Sequence, residues 1–73
     1  MDSKHAERIQ QLTEMQVDLT AFEQRYAMPS AEFFDKFERG ELGDAIDFFE
    51  WSATWQMAEN LKRRIQQASA IDV

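Results

Sequence analysis

The stretch Gly40-Glu41-Leu42-Gly43-Asp44-Ala45-Ile46-Asp47-Phe48-Phe49-Glu50-Trp51-Ser52-Ala53-Thr54-Trp55 decides how this chain is organised. It holds both glycines and both tryptophans. Its first four residues should stop one helix. Asp44 is then placed to N-cap the next, with Asp47 at the N3 position as a second negative charge against the positive helix end. From there Phe48, Trp51, Trp55, Ala58, Leu61, Ile65 and Ala68 keep spacings of three and four, the signature of a helix with one apolar face. Lys62, Arg63 and Arg64 complement the other end of the dipole. A long helix over about 45–69 is predicted, with Ile71 to Val73 frayed beyond it.

Upstream of Gly40, Ser30 is placed to cap a short helix over about 31–39, with Glu32 in its first turn and Gly40 at its end. Phe33, Phe34 and Phe37 group on one side of that helix, which is too small to stand alone and should bracket its neighbours. Before Pro29, which cannot continue a hydrogen-bonded ladder, Ile9, Leu12, Met15, Leu19, Phe22 and Tyr26 form another helical stripe. That first helix is predicted over about 3–27.

The fold class follows: all-α, two long antiparallel helices with a short intervening helix folded across the closed end. A two-helix hairpin covers only part of each stripe, and Ile46, Phe49 and Met57 lie off the main one. The spare apolar surface predicts a dimer that forms a helical bundle, or a complex that covers the same residues.

Composition narrows the function. With 73 residues and no cysteine, the chain makes one domain with neither disulfide nor thiolate metal site to support it. Apolar residues at 44% and charged residues at 30% describe a folded soluble domain. No apolar run approaches the roughly 20 residues of a membrane span, and the start is too polar for a signal peptide, so a cytoplasmic protein is expected. The net charge of -6 argues against direct nucleic-acid binding, which needs a basic footprint. A basic protein is the better partner.

Catalytic patterns are thin. Glu32, Asp35, Glu38, Glu41, Asp44, Asp47 and Glu50 recur at every third position. Because a period of three drifts around a 3.6-residue turn, they cannot share one helix face. They read as dipole partners and a solvated surface, or as an acidic surface that docks on a basic partner. Carboxylate pairs at i and i+3, Glu38 with Glu41 or Asp44 with Asp47, are of the kind that holds Mg²⁺ in small all-helical nucleotide pyrophosphohydrolases. The second pair of such enzymes is missing, since Glu59 is followed three residues later by Lys62. His5 has no second histidine or cysteine to complete a ligand set, and no phosphate loop is present. No enzyme, metal or cofactor is expected. Trp51 and Trp55 are the largest packing groups, suited to a core or dimer seam or to a partner-binding hot spot, and their exposure in the isolated chain should distinguish a self-contained assembly from a partner binder.

The segment Tyr26-Ala27-Met28-Pro29-Ser30 through Gly40-Glu41-Leu42-Gly43-Asp44, followed by Asp47-Phe48-Phe49-Glu50-Trp51, resembles short proteins of type II toxin-antitoxin modules described as antitoxins or toxin companions. The likeness spans about residues 26–57. Ala27 stands where those proteins carry glycine, and no DNA-binding segment of the kind many antitoxins carry is visible. The resemblance implies a module that binds and neutralises a toxin, one that cleaves RNA being the natural candidate. Phe48, Phe49, Trp51 and Trp55 would then supply the apolar contact, and Glu41, Asp44, Asp47 and Glu50 the charge complement. The competing expectation is a self-associating structural helical protein with no inhibitory role.

Overall fold

A computed structural model describes residues 3–71, with side chains from 6 to 67. Three helices follow one another: α1 (Ser3–Tyr26), α2 (Ser30–Glu38) and α3 (Ile46–Ile71). The long helices α1 and α3 pack antiparallel, and α2 lies across their closed end in contact with both. The molecule measures 44 × 20 × 17 Å, so it is a rod about one helix long and two helices wide. The all-α architecture expected from the periodicities is the one observed. The side chains of His5 and Ala68 and the ends at Asp72 and Val73, on which expectations were also placed, lie outside the described residues.

Each turn has a local cause. At the end of α1, Ala27 takes a left-handed backbone with φ of 52°, and the Met28 N–H donates to the Glu23 carbonyl at 3.2 Å. This bond closes the last turn as in a Schellman motif, where glycine is the usual residue because it has no Cβ to collide. The end of α2 repeats the device with a glycine. Gly40 has φ of 74°, its N–H reaches the Phe37 carbonyl at 3.1 Å, and the Glu41 N–H reaches the Lys36 carbonyl at 3.0 Å.

The helix starts differ from the expected caps. Ser30 is the first residue of α2 and Pro29 occupies the cap position without a side-chain bond. The acceptor for the free N–H of Ser30 comes instead from α1: Glu23 Oε2 lies 2.9 Å from that nitrogen. Asp44 is exposed and makes no hydrogen bond among the described residues, and α3 begins two residues after it, at Ile46. Asp47 is therefore the second residue of the helix rather than the third.

The core is aromatic and sits at the closed end. Phe33 and Trp51 are fully buried, and Leu19, Ala58 and Leu61 join them below one-tenth exposure. Phe33 and Trp51 stack face to face with ring centroids 3.8 Å apart and planes 2° from parallel. Phe22 and Tyr26 of α1 stack on the same indole at 5.5 and 5.6 Å. Burial of one such ring removes roughly 150–250 Å² from water, several kcal/mol as an upper bound. The predicted α1 stripe holds from Leu12 to Tyr26, but its first member, Ile9, is 45% exposed. The reason is geometric. A stripe with a mean spacing of about 3.4 residues falls behind a 3.6-residue turn, so over five steps it rotates roughly 100° off the contact line.

Candidate partner-binding site

Trp51 is fixed by a three-residue polar relay as well as by its stacking partners. The indole Nε1–H donates to Ser30 Oγ at 2.8 Å, and the Ser30 hydroxyl donates to Glu23 Oε2 at 2.6 Å. All three helices contribute one residue each. Since no buried side-chain nitrogen or oxygen among the described residues lacks a partner, the polar atoms carried inside are all satisfied. Trp51 is thus a structural residue, and its expected place in an exposed contact surface is corrected by its burial.

Asp47 is also taken up within the chain. Its Oδ2 accepts from the Tyr26 hydroxyl at 2.7 Å and from Arg25 Nη1 at 2.9 Å, tying the end of α1 to the start of α3. These two bonds, the tyrosine first and the arginine second, hold the Asp47 carboxyl below its ordinary range. The same contact, together with burial, raises the Tyr26 phenol above its ordinary range, the hydrogen bond to Asp47 being the larger cause. The sequence showed a helix-dipole partner at this position. It did not show that Tyr26 and Arg25, one helix away, would converge on it.

Phe48 packs inward, edge-on to Tyr26 at 5.3 Å and beside Phe33 at 5.5 Å. Trp55 is half-buried, and Lys62 Nζ lies 5.8 Å from its ring centroid while pairing with Glu59 at 3.0 Å. The ammonium therefore covers part of the one tryptophan that reaches the surface. With Trp51 enclosed, tryptophan exposure no longer separates a self-contained assembly from a partner binder.

What remains outside at the start of α3 forms a smaller group. Ile46 is 78% exposed and Phe49 55% exposed, Phe49 touching only its edge-on neighbour Phe37 at 5.6 Å among the aromatic contacts. Glu41 and Asp44, in the segment that leads into α3, and Glu50, next to Phe49 in the chain, are exposed as well. Glu41 makes one long contact with Arg39 Nη1 at 3.5 Å, and Asp44 and Glu50 make no ion pair among the described residues. Of the eight residues singled out from sequence, the structure leaves Glu41, Asp44, Phe49 and Glu50 facing solvent and turns Asp47, Phe48 and Trp51 inward. Ile46 joins the outward group. The signal that finds it is its position off the apolar stripe of α3.

Among the described residues no group of three or more histidine, cysteine or carboxylate side chains gathers closely enough to hold a metal ion. No helix among the described residues is long and apolar enough to cross a membrane. No protein-family model, curated protein or solved structure matches the chain.

Proposed function

We propose that the chain is a small acidic protein-binding module that acts as an antitoxin, covering the active surface of a basic partner toxin. The observation that carries this reading is the pair Ile46 and Phe49, exposed on the first turns of α3, with Glu41, Asp44 and Glu50 exposed nearby in the chain. An exposed aliphatic and an exposed aromatic side chain offer desolvation energy at the centre of a contact, and the acids offer complementarity to a lysine- and arginine-rich surface. The resemblance of residues 26–57 to antitoxins supports the same assignment. Trp51 and Asp47 serve it indirectly by holding the start of α3 in place.

The test is growth of cells that express the neighbouring reading frame of the source genome, with and without this chain. Relief of arrest by the wild type and loss of relief with Ile46→Ser plus Phe49→Ser is the expected pattern. A harmless neighbour, or full relief by the double variant, sinks the reading. Replacing both tryptophans is a poor probe here, because removing Trp51 empties the core before it touches any partner.

A further inference from the structure

The outer face of α1 is the second unpartnered surface of the rod, and it differs in kind from the start of α3. Ile9, Thr13, Val17, Thr20, Ala21 and Gln24 are all exposed and all uncharged, as are the alanine and glutamines between them, so roughly 140° of the helix carries no charge from Ala6 to Gln24. Val17, at 65% exposure, stands at its centre. Thr13 Oγ1 donates back to the Ile9 carbonyl at 3.0 Å, which satisfies the hydroxyl inside its own helix. A shallow trough runs over Thr13, Val17, Thr20 and Gln24. In a chain of net charge -6 this absence of charge selects the occupant.

We propose that a second copy of this chain docks here, α1 against α1 in parallel, about a two-fold axis running along the helices. The charge layout gives the direction. Glu7, Glu14 and Asp18 lie along one rim of the face, while Ile9 and Gln16 lie along the other, beside Glu23, whose carboxylate is taken up by Ser30. A parallel two-fold sets the acidic rim of each copy against the Ile9 and Gln16 rim of its mate, whereas an antiparallel pairing lays the acidic rims side by side. Thr13, Val17, Thr20 and Gln24 fall at spacings of four, three and four, which keeps one seam on the axis.

The surface area agrees. The chain exposes 5362 Å², whereas a compact monomer of its 8.6 kDa exposes about 4,700 Å². The surplus of roughly 650 Å² approaches the ~800 Å² that each partner gives to a standard interface. The start of α3 is a poorer place for a second copy, because Glu41, Asp44 and Glu50 would meet their own counterparts. The inference therefore stands apart from the antitoxin reading and leaves that surface free.

Sedimentation equilibrium of the full chain over a concentration series tests it, with single-cysteine variants as a second arm, since the natural chain has no cysteine to confuse the result. The wild type is expected to dimerise with a dissociation constant in the micromolar range, as suits a small face. Thr13→Cys and Thr20→Cys should each cross-link to the same residue of the mate on mild oxidation. Val17→Glu should weaken the dimer on the order of 100-fold by placing two carboxylates at the seam, with helicity unchanged by circular dichroism because the position is exposed. Ile46→Ser should leave the dimer intact. A wild type that stays monomeric throughout, a Val17→Glu variant that dimerises as well as the wild type, or cysteines at 13 and 20 that do not cross-link would overturn the proposal.

Discussion

Trp51 on α3 donates its indole N–H to the hydroxyl of Ser30 on α2 across 2.8 Å of buried space, joining positions 21 residues apart. Ser30 passes the relay on to Glu23, so one small side chain serves as acceptor for α3 and donor to α1. Ser30→Ala should therefore cost about 1–3 kcal/mol, because it leaves the buried indole N–H without a partner. Glu23→Gln keeps an acceptor for Ser30 and removes only the charge at the start of α2, which costs about 0.3–1 kcal/mol. Urea denaturation of both variants checks the order. Equal losses would mean that the serine hydroxyl is not the acceptor for Trp51.

Ala27 closes α1 with φ of 52°, a conformation in which its Cβ crowds the backbone. Ala27→Gly should stabilise the protein by about 0.5–1 kcal/mol, the relief of strain outweighing the added freedom of the unfolded chain. Thermal melting should rise by several degrees, at about 4–8 °C per kcal/mol for a domain of this size. A lower melting temperature would show that Ala27 is not left-handed in solution.

The bond between Tyr26 and Asp47 gives stability a dependence on pH at both ends of the scale. Asp47 is depressed from 3.8, so its contribution is complete above the unfolded value and fades as pH falls through the lower folded one. Tyr26 is raised from 10.0, so its contribution is complete below that value and fades as pH climbs through the higher folded one. The melting-temperature gap between wild type and Asp47→Ala should thus be widest between these limits and narrow beyond each. A gap that stays constant into strong acid would remove Asp47 from the account.

Two neighbouring aromatic positions should respond very differently to truncation. Trp51→Ala opens a cavity beside Phe22, Tyr26 and Phe33 and should cost about 3–5 kcal/mol, much of the stability of a chain this size. Phe49→Ala loses an edge-on contact with Phe37 and should cost under about 1 kcal/mol. Denaturation midpoints of the two variants measure the contrast. Similar losses would place Phe49 in the core and withdraw it from any partner surface.

The sequence made the helices legible because their signals are local. Apolar spacing, Pro29 and the glycine at 40 placed the ends of all three within two residues of where they fall. The direction of individual polar side chains was not legible, because it is set by partners on other helices. Ser30 looks like a cap from its neighbours alone, and only the nearness of Glu23 and Trp51 turns its hydroxyl inward. Asp47 looks like a dipole partner until Tyr26 and Arg25 arrive from α1. The aromatic run Phe48-Phe49-Glu50-Trp51 was divided by spacing alone, which set Phe48 and Trp51 on the apolar stripe of α3 and Phe49 off it; what spacing could not supply was the set of partners from α1 and α2 that meet them.

The aromatic cluster lies at the end of the rod where the chain turns twice, and this gives the fold a direction in time as well as in space. Phe22, Tyr26, Phe33 and Trp51 meet by closing short loops, the least costly closures available to the chain. Once they are joined, α1 and α3 can zip toward the open end through contacts already held in register. Opening runs the other way, starting from the open end of the rod, where Ile9 and Gln10 of α1 and Gln66 and Gln67 of α3 are exposed. Amide exchange should accordingly be graded along the 44 Å axis, slowest around Leu19, Phe33 and Trp51 and faster toward the open end, near Gln10 on α1 and Gln66 on α3.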